Sequence, residues 1–150
     1  MNLSENKQHI LFGGAFVLAN KLQLVADKKV PGLSTKQWFL LRNLRDLPSD
    51  PPPTIATLAK ETDTTRQNVR KMLEVLQRDG YVILDSHPED HRSQIVKMTE
   101  RGAAVLQEIS DHADPFFAEM FAGISTEECE VSARVIVKLI ENLYKMQEEM

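Results

Sequence analysis

The sequence predicts a mainly α chain with a small β component (α+β), six helices interrupted once by a β-hairpin. Three observations carry that expectation. Apolar residues recur at helical spacing along most of the chain. Ser or Thr stands at helix-start positions, three times with Gln or Glu three residues later. The period changes only after Gly80, where the runs 81–84 and 94–98 flank a polar loop.

Helix one is expected over 4–28, ended by Pro31-Gly32. It is apolar on most faces between Ile10 and Val25, which calls for burial on more than one side. Gly13-Gly14 inside it costs about 1 kcal/mol per glycine relative to Ala, and suits either a close helix approach or a kink, or is simply tolerated. The uncharged stretch 10–19 behind Lys7 resembles a signal-peptide core. Ten residues are too few for a bilayer, which takes about 20, and Glu5 offsets Lys7. The expectation is a cytoplasmic protein with no membrane partner.

Helix two opens on a capping box, Ser34 with Gln37, and Leu33 can staple to Trp38. It runs to about residue 46, where Pro48 and Pro51-Pro52-Pro53 form a stiff connector. Thr54 caps a short third helix with Ile55, Leu58 and Ala59, and residues 62–65 form a tight polar turn. Helix four starts at Thr64 or Thr65, with Thr64 and Gln67 as a second capping box, and stops at Gly80. The hairpin loop is 85–93. Thr99 caps helix five over 100–121, with Pro115 expected to bend it. Gly123 breaks the pattern, and Ser125 with Glu128 opens helix six, which continues to the C-terminus.

Composition narrows the function. The chain is 42% hydrophobic and 27% charged over 150 residues, enough apolar material for a core without staples. Its one cysteine, Cys129, excludes an internal disulfide and any Cys-rich metal site. A net charge of −4 speaks at first against nucleic acid, yet the charge is uneven. Residues 1–53 carry net +3, 54–102 net zero, and 103–150 net −7. A nucleic-acid surface in the central segment must therefore rest on local placement of its bases.

Short helix, tight turn, helix, strand, polar loop, strand is the order of a winged helix-turn-helix. In helix four Val69, Met72, Leu73 and Leu76 fall at i, i+3, i+4 and i+7, one apolar stripe. Gln67, Lys71 and Arg78 point away from it, flanked by Asn68 and Arg70. Such a face near a helix N-terminus suits base reading in a major groove, since Gln and Asn pair two ways with adenine and Arg or Lys with guanine. Glu74 shares the outward face, which limits groove entry to the first two turns and braces Arg70 and Arg78 at four-residue spacing. Polar outer faces are ordinary on surface helices, so the projecting loop adds the discriminating weight. His87, Asp90, His91 and Arg92 make a polar wing, and an Arg there can enter a narrow minor groove.

The run Asp90-His91-Arg92-Ser93, followed by Val96, Met98, Thr99 and Gly102, resembles the wing pattern of the multiple-antibiotic-resistance regulator (MarR) family. Leu58-Ala59, then Thr65-Arg66-Gln67-Asn68-Val69-Arg70-Lys71, Leu76 and Gly80, is similar to that family's helix-turn-helix core. The resemblance implies a single unit over 1–150, with a winged helix-turn-helix at 34–102 and dimerisation helices at 1–30 and 103–150. It implies a dimeric regulator binding double-stranded operator DNA, often a repressor released by a small ligand. Helix 65–78 would be the recognition helix, with Thr65, Arg66, Gln67, Asn68, Arg70 and Lys71 at the DNA. Arg92 would be the minor-groove residue, oriented by Asp90. Two departures stand out. Asp63 occupies a turn position where glycine is common, and its charge would face phosphates unless paired. His91 replaces a frequent second basic residue, which would leave wing affinity either weaker or pH-dependent near the ordinary histidine value of about 6.5.

Helix six supports a homodimer independently. Cys129, Ala133, Ile136, Ile140 and Leu143 form one stripe, and Val131, Val135, Leu139, Asn142 and Met146 another. A helix apolar on two faces packs its own subunit with one and a partner with the other. A two-fold dimer would set two recognition helices about 34 Å apart on a pseudo-palindrome. Phe12, Phe16, Trp38 and Phe116 are candidates for lining a pocket for a small aromatic effector, with Phe117 beside them. Arg42 is the counter-charge if the effector is anionic; plain core packing and a salt bridge are the competing roles. The resemblance places peroxide-sensing cysteines early in helix one, where this chain has none, and Cys129 sits among Glu127, Glu128 and Glu130. No metal-ligand spacing, phosphate loop or nucleophile motif is present, so no cofactor, metal or catalytic residue is expected. The rival reading is a winged-helix protein-interaction module without specific DNA binding.

Overall fold

The computed structural model describes residues 6–29, 32–89 and 92–149. Its elements run α1 (Lys7–Lys29), α2 (Thr35–Asp46), α3 (Ile55–Glu61), α4 (Arg66–Arg78), β1 (Val82–Ser86), β2 (Gln94–Met98), α5 (Glu100–Met120) and α6 (Thr126–Glu148). The expected mainly helical order with one hairpin is the observed one. Residues divide into two compact units, Met1–Phe116 and Phe117–Met150.

In the first unit the core forms where the apolar stripes of α2 to α5 meet the inner face of the hairpin. Leu40, Leu41 and Leu44 of α2, Leu58 of α3, and Val69, Leu73 and Leu76 of α4 are buried together with Val82, Val96, Val105, Leu106 and Ile109. Capping starts these helices where the side chains direct. Ser34 Oγ accepts from the Gln37 amide at 3.3 Å, and Gln37 Oε1 accepts from the Ser34 amide at 3.0 Å, so the predicted box closes. Thr54 Oγ1 accepts from the Thr57 amide at 3.1 Å. For α4 the cap is Thr65, whose hydroxyl accepts from the Asn68 amide at 3.2 Å. The Thr64–Gln67 box is therefore corrected: Thr64 lies one residue too early and instead accepts from Asn68 Nδ2 at 3.4 Å.

The turn between α3 and α4 puts Asp63 at φ +48°, in the left-handed region that glycine occupies without cost. At the other end of α4, Gly80 has φ +79°, and the Tyr81 amide reaches back to the Leu76 carbonyl at 2.8 Å, a glycine stop of the expected kind.

The two strands pair antiparallel, Val82 with Met98 through Ser86 with Gln94. The second strand lies where the pattern put it. The first is displaced toward Ser86, because pairing with Gln94 and Ile95 carries it past the apolar run. Beyond β2 the chain adds a further link: Thr54 bridges Ile95, and the Val96 amide donates to the Pro53 carbonyl at 2.8 Å.

Helix α5 starts against the α4–β1 turn. Thr99 Oγ1 accepts from the Gly102 amide at 3.0 Å, as the predicted cap, and donates to the Gly80 carbonyl at 2.8 Å. Gly102 lies so close to the Tyr81 carbonyl that a Cβ would collide with it. The Arg101 guanidinium lies 5.4 Å from the Tyr81 ring centroid. The helix holds Pro115 and ends at Met120.

Helix α1 corrects an expectation. Its apolar faces called for burial on several sides, yet none of its described residues is buried, and Phe12 is 72% exposed. Gly13 faces open space, so no close helix approach forms at Gly13 among the described residues. One tie is evident at its end, where Asp27 Oδ1 accepts from both the amide and the hydroxyl of Thr35 at 2.6 Å. These bonds, the hydroxyl's first, hold the Asp27 carboxyl below its ordinary value. At 23 residues α1 is also long and apolar enough to cross a membrane by length and composition, so the shortness of 10–19 no longer decides that question.

In the second unit the Ser125–Glu128 box closes as expected, at 3.2 and 2.8 Å, and hydrogen bonding from the Ser125 amide first, then from its side chain, holds the Glu128 carboxyl low. Along α6, Ile136, Ile140 and Leu143 of one stripe and Val131, Leu139 and Met146 of the other are exposed, while Cys129 and Val135 are half-buried.

Candidate nucleic-acid interface

The candidate surface is built outward from α4. Val69, Leu73 and Leu76 are fully buried and Met72 packs against the core, so the predicted stripe is the root of the helix. This fixes the opposite face by geometry. Arg66, Gln67, Asn68, Arg70 and Lys71 are all exposed over the first two turns, next to the exposed cap Thr65. A helix N-terminus with free amides and bases beside it suits phosphate, and its long polar side chains suit base edges.

Ion pairs along the face sort its bases. Arg70 Nε lies 3.1 Å from Glu74 Oε1, so the predicted brace toward the N-terminus forms. Arg78 is paired instead with its neighbour Asp79 at 3.4 Å, which removes the second brace assigned to Glu74.

The loop between β1 and β2 is described at residues 87–89 and 92–93. Within it the His87 amide donates to the Ser93 carbonyl at 3.0 Å, and His87 Nδ1 accepts from the Glu89 amide at 3.2 Å. Lys97 Nζ lies 3.5 Å from Asp85 across the strands. Arg92 is exposed near the loop end. Asp90 and His91 lie outside the described residues, and with them the proposed orientation of Arg92 by Asp90.

The candidate effector residues form two local pairs. Phe12 and Phe16 meet edge-to-face with centroids 5.4 Å apart on α1, and the Arg42 guanidinium lies 5.5 Å from the Trp38 ring centroid on α2. Arg42 also lies 3.7 Å from Asp46, the salt bridge that competes with a ligand role. Phe116 is half-buried on α5. Each pair sits within one helix, so neither by itself encloses a ligand. Among the described residues no His, Cys, Asp and Glu group could hold a metal ion.

Two contributors escaped the sequence pattern. The Leu84 amide of β1 donates to Gln77 Oε1 of α4 at 2.8 Å, and Pro53 supports β2. Gln77 borders the apolar stripe, one residue past Leu76. That position is the only local signal.

Comparison with known proteins bears on the whole arrangement. Residues 32–93, from the start of α2 through the hairpin loop, match the MarR family. A crystal structure of MarR superposes with a TM-score of 0.81 at 17% identity, covering 100% of this chain and 99% of that one. A mutant MarR from E. coli complexed with operator DNA gives 0.77 at 19% identity, covering 93% and 99%. The PcaV transcriptional regulator from Streptomyces coelicolor, in complex with its natural ligand, gives 0.76 at 18% identity, covering 94% and 96%. At these identities the structural likenesses speak for the fold, while the sequence match covers the helix-turn-helix and hairpin. Together they show that residues 32–93 match the MarR family and that the chain has the winged-helix fold of the solved MarR structures.

Proposed function

We propose that this protein is a transcriptional regulator, a ligand-responsive repressor that binds a pseudo-palindromic DNA site as a homodimer, through helix 65–78 in the major groove and wing 85–93 in the minor groove. The observation that carries the reading is the rooted geometry of α4. A fully buried stripe of Val69, Leu73 and Leu76 leaves Arg66, Gln67, Asn68, Arg70 and Lys71 exposed together at its N-terminal end. The E. coli MarR with a similar fold is seen on operator DNA, and PcaV with a ligand, which supports both halves of the proposal.

The dimer rests on apolar surface that the chain leaves uncovered. Phe12, Phe16 and Leu18 of α1, and Ile136, Leu143 and Met146 of α6, are each more than half exposed. A second copy would cover both helices, α1 being a dimerisation helix of a cytoplasmic protein rather than a membrane span. An aromatic or anionic effector would act near Trp38 and Arg42.

Selection of duplexes from a random-sequence pool by the full chain tests this reading. A dimer should enrich two half-sites about one helical turn apart, and affinity should fall by about 0.9 log units per log unit of salt for each phosphate neutralised. Failure of a folded dimer to bind any duplex at low salt would overturn it. That outcome would favour a protein-interaction module, a reading to which the engagement of Arg70 by Glu74 and Arg78 by Asp79 lends some support.

A further inference from the structure

Leu84 and Val96 face each other across the hairpin. In an antiparallel ladder, a facing pair either exchanges its amide bonds or turns both amides outward. Here both turn outward and both are taken. The Val96 amide donates to the Pro53 carbonyl and the Leu84 amide to Gln77 Oε1, each at 2.8 Å. One rung of the hairpin is thus held from both sides, by the connector before α3 and by the helix proposed to read DNA.

The two holds differ in kind. Pro53 contributes main chain, which its own strand-like bridge to β2 already places. Gln77 contributes a side chain that must give up rotamer freedom to reach the strand. The bond is exposed, and water would satisfy the Leu84 amide equally well, so no buried group demands it. What the bond does supply is a fixed relation between α4 and β1. From Leu84 the ribbon runs on to the Ser86–Gln94 pair and then into the loop bearing Arg92, so a small tilt at this rung becomes a larger displacement at the tip.

We propose that Gln77 is a positioning residue for DNA recognition: by holding the Leu84 amide it sets the wing relative to α4, so that Arg92 and the α4 face engage one duplex together. The proposal rests on the DNA-reading function of those two elements. It assigns Gln77 no contact with DNA.

The test uses the full chain and duplexes selected from a random pool by the wild type. Gln77→Met keeps the length and removes the acceptor; Gln77→Glu keeps an acceptor oxygen. Hydrogen exchange should show the Leu84 amide losing protection in Gln77→Met and keeping it in Gln77→Glu. On the selected duplex, Gln77→Met should weaken binding about fivefold, the scale of one net hydrogen bond, with thermal unfolding little changed. In an Arg92→Ala background the same substitution should cost nothing further, because the tip it positions no longer has its contact. Unchanged Leu84 protection in Gln77→Met, or an equal loss of affinity with and without Arg92, would overturn the proposal. If the wild type selects no duplex, the DNA-binding reading itself fails, while the amide exchange still reports on the hold.

Discussion

The Thr99 hydroxyl donates to the Gly80 carbonyl at 2.8 Å while accepting from the Gly102 amide at 3.0 Å. One side chain therefore caps α5 and fastens it to the turn that ends α4. Thr99→Ala should cost about 1–2 kcal/mol in urea unfolding, since a cap and a turn bond are lost together. Thr99→Ser should recover most of it, because the hydroxyl performs both tasks.

Arg70 is held by Glu74 on the face proposed to meet DNA. Glu74→Gln should cost at most about 0.5 kcal/mol of stability, as for any exposed pair at this spacing. It should strengthen DNA binding and steepen the salt dependence by up to about 0.9 log units, the contribution of one newly available phosphate contact. Titrations at two or more salt concentrations read both effects.

Asp63 combines an uncommon backbone conformation with a negative charge in the turn before α4. Asn tolerates the left-handed region about as well, so Asp63→Asn should leave stability within about 0.5 kcal/mol. Removing the charge should tighten DNA binding by roughly 0.5 kcal/mol, the scale of one exposed charge interaction. Asp63→Val should instead destabilise, because a β-branched residue suits that conformation badly.

Asp27 ties α1 to the start of α2 through Thr35, whose bonds lower its pKa. A depressed carboxyl contributes stability above its unfolded pKa of about 3.9 and loses it as pH falls through the lowered folded value. The melting temperature of Asp27→Ala should therefore lie below that of the wild type at pH 6, and the gap should close in acid below pH about 4. Melts across that range by circular dichroism measure it.

What was legible in the sequence was what neighbours along the chain decide. The Ser34 and Ser125 boxes and the Gly80 stop each depend on a few consecutive residues, and each forms. The stripe of α4 was equally plain, because a period of 3.6 converts spacing directly into a buried side and an open one. The Thr64–Gln67 box failed because two adjacent threonines offer the same chemistry, and the turn geometry chose Thr65. Strand β1 reached Ser86 because its end is set by a partner across the loop, not by its own polarity. Gln77 was invisible for the same reason: its meaning lies in an amide on another element. The apolar faces of α1 and α6 were readable as apolar, but spacing alone does not say what covers them.

The doubly held rung at Leu84 and Val96 also interrupts the open margins of the hairpin. A two-stranded ribbon ordinarily shows an open row of donors along each margin, to which a strand from another molecule can add. With the outward amide of each strand already occupied at this rung, neither margin offers an uninterrupted template there. At that rung an incoming strand would have to displace the Pro53 carbonyl or the Gln77 side chain before it could pair.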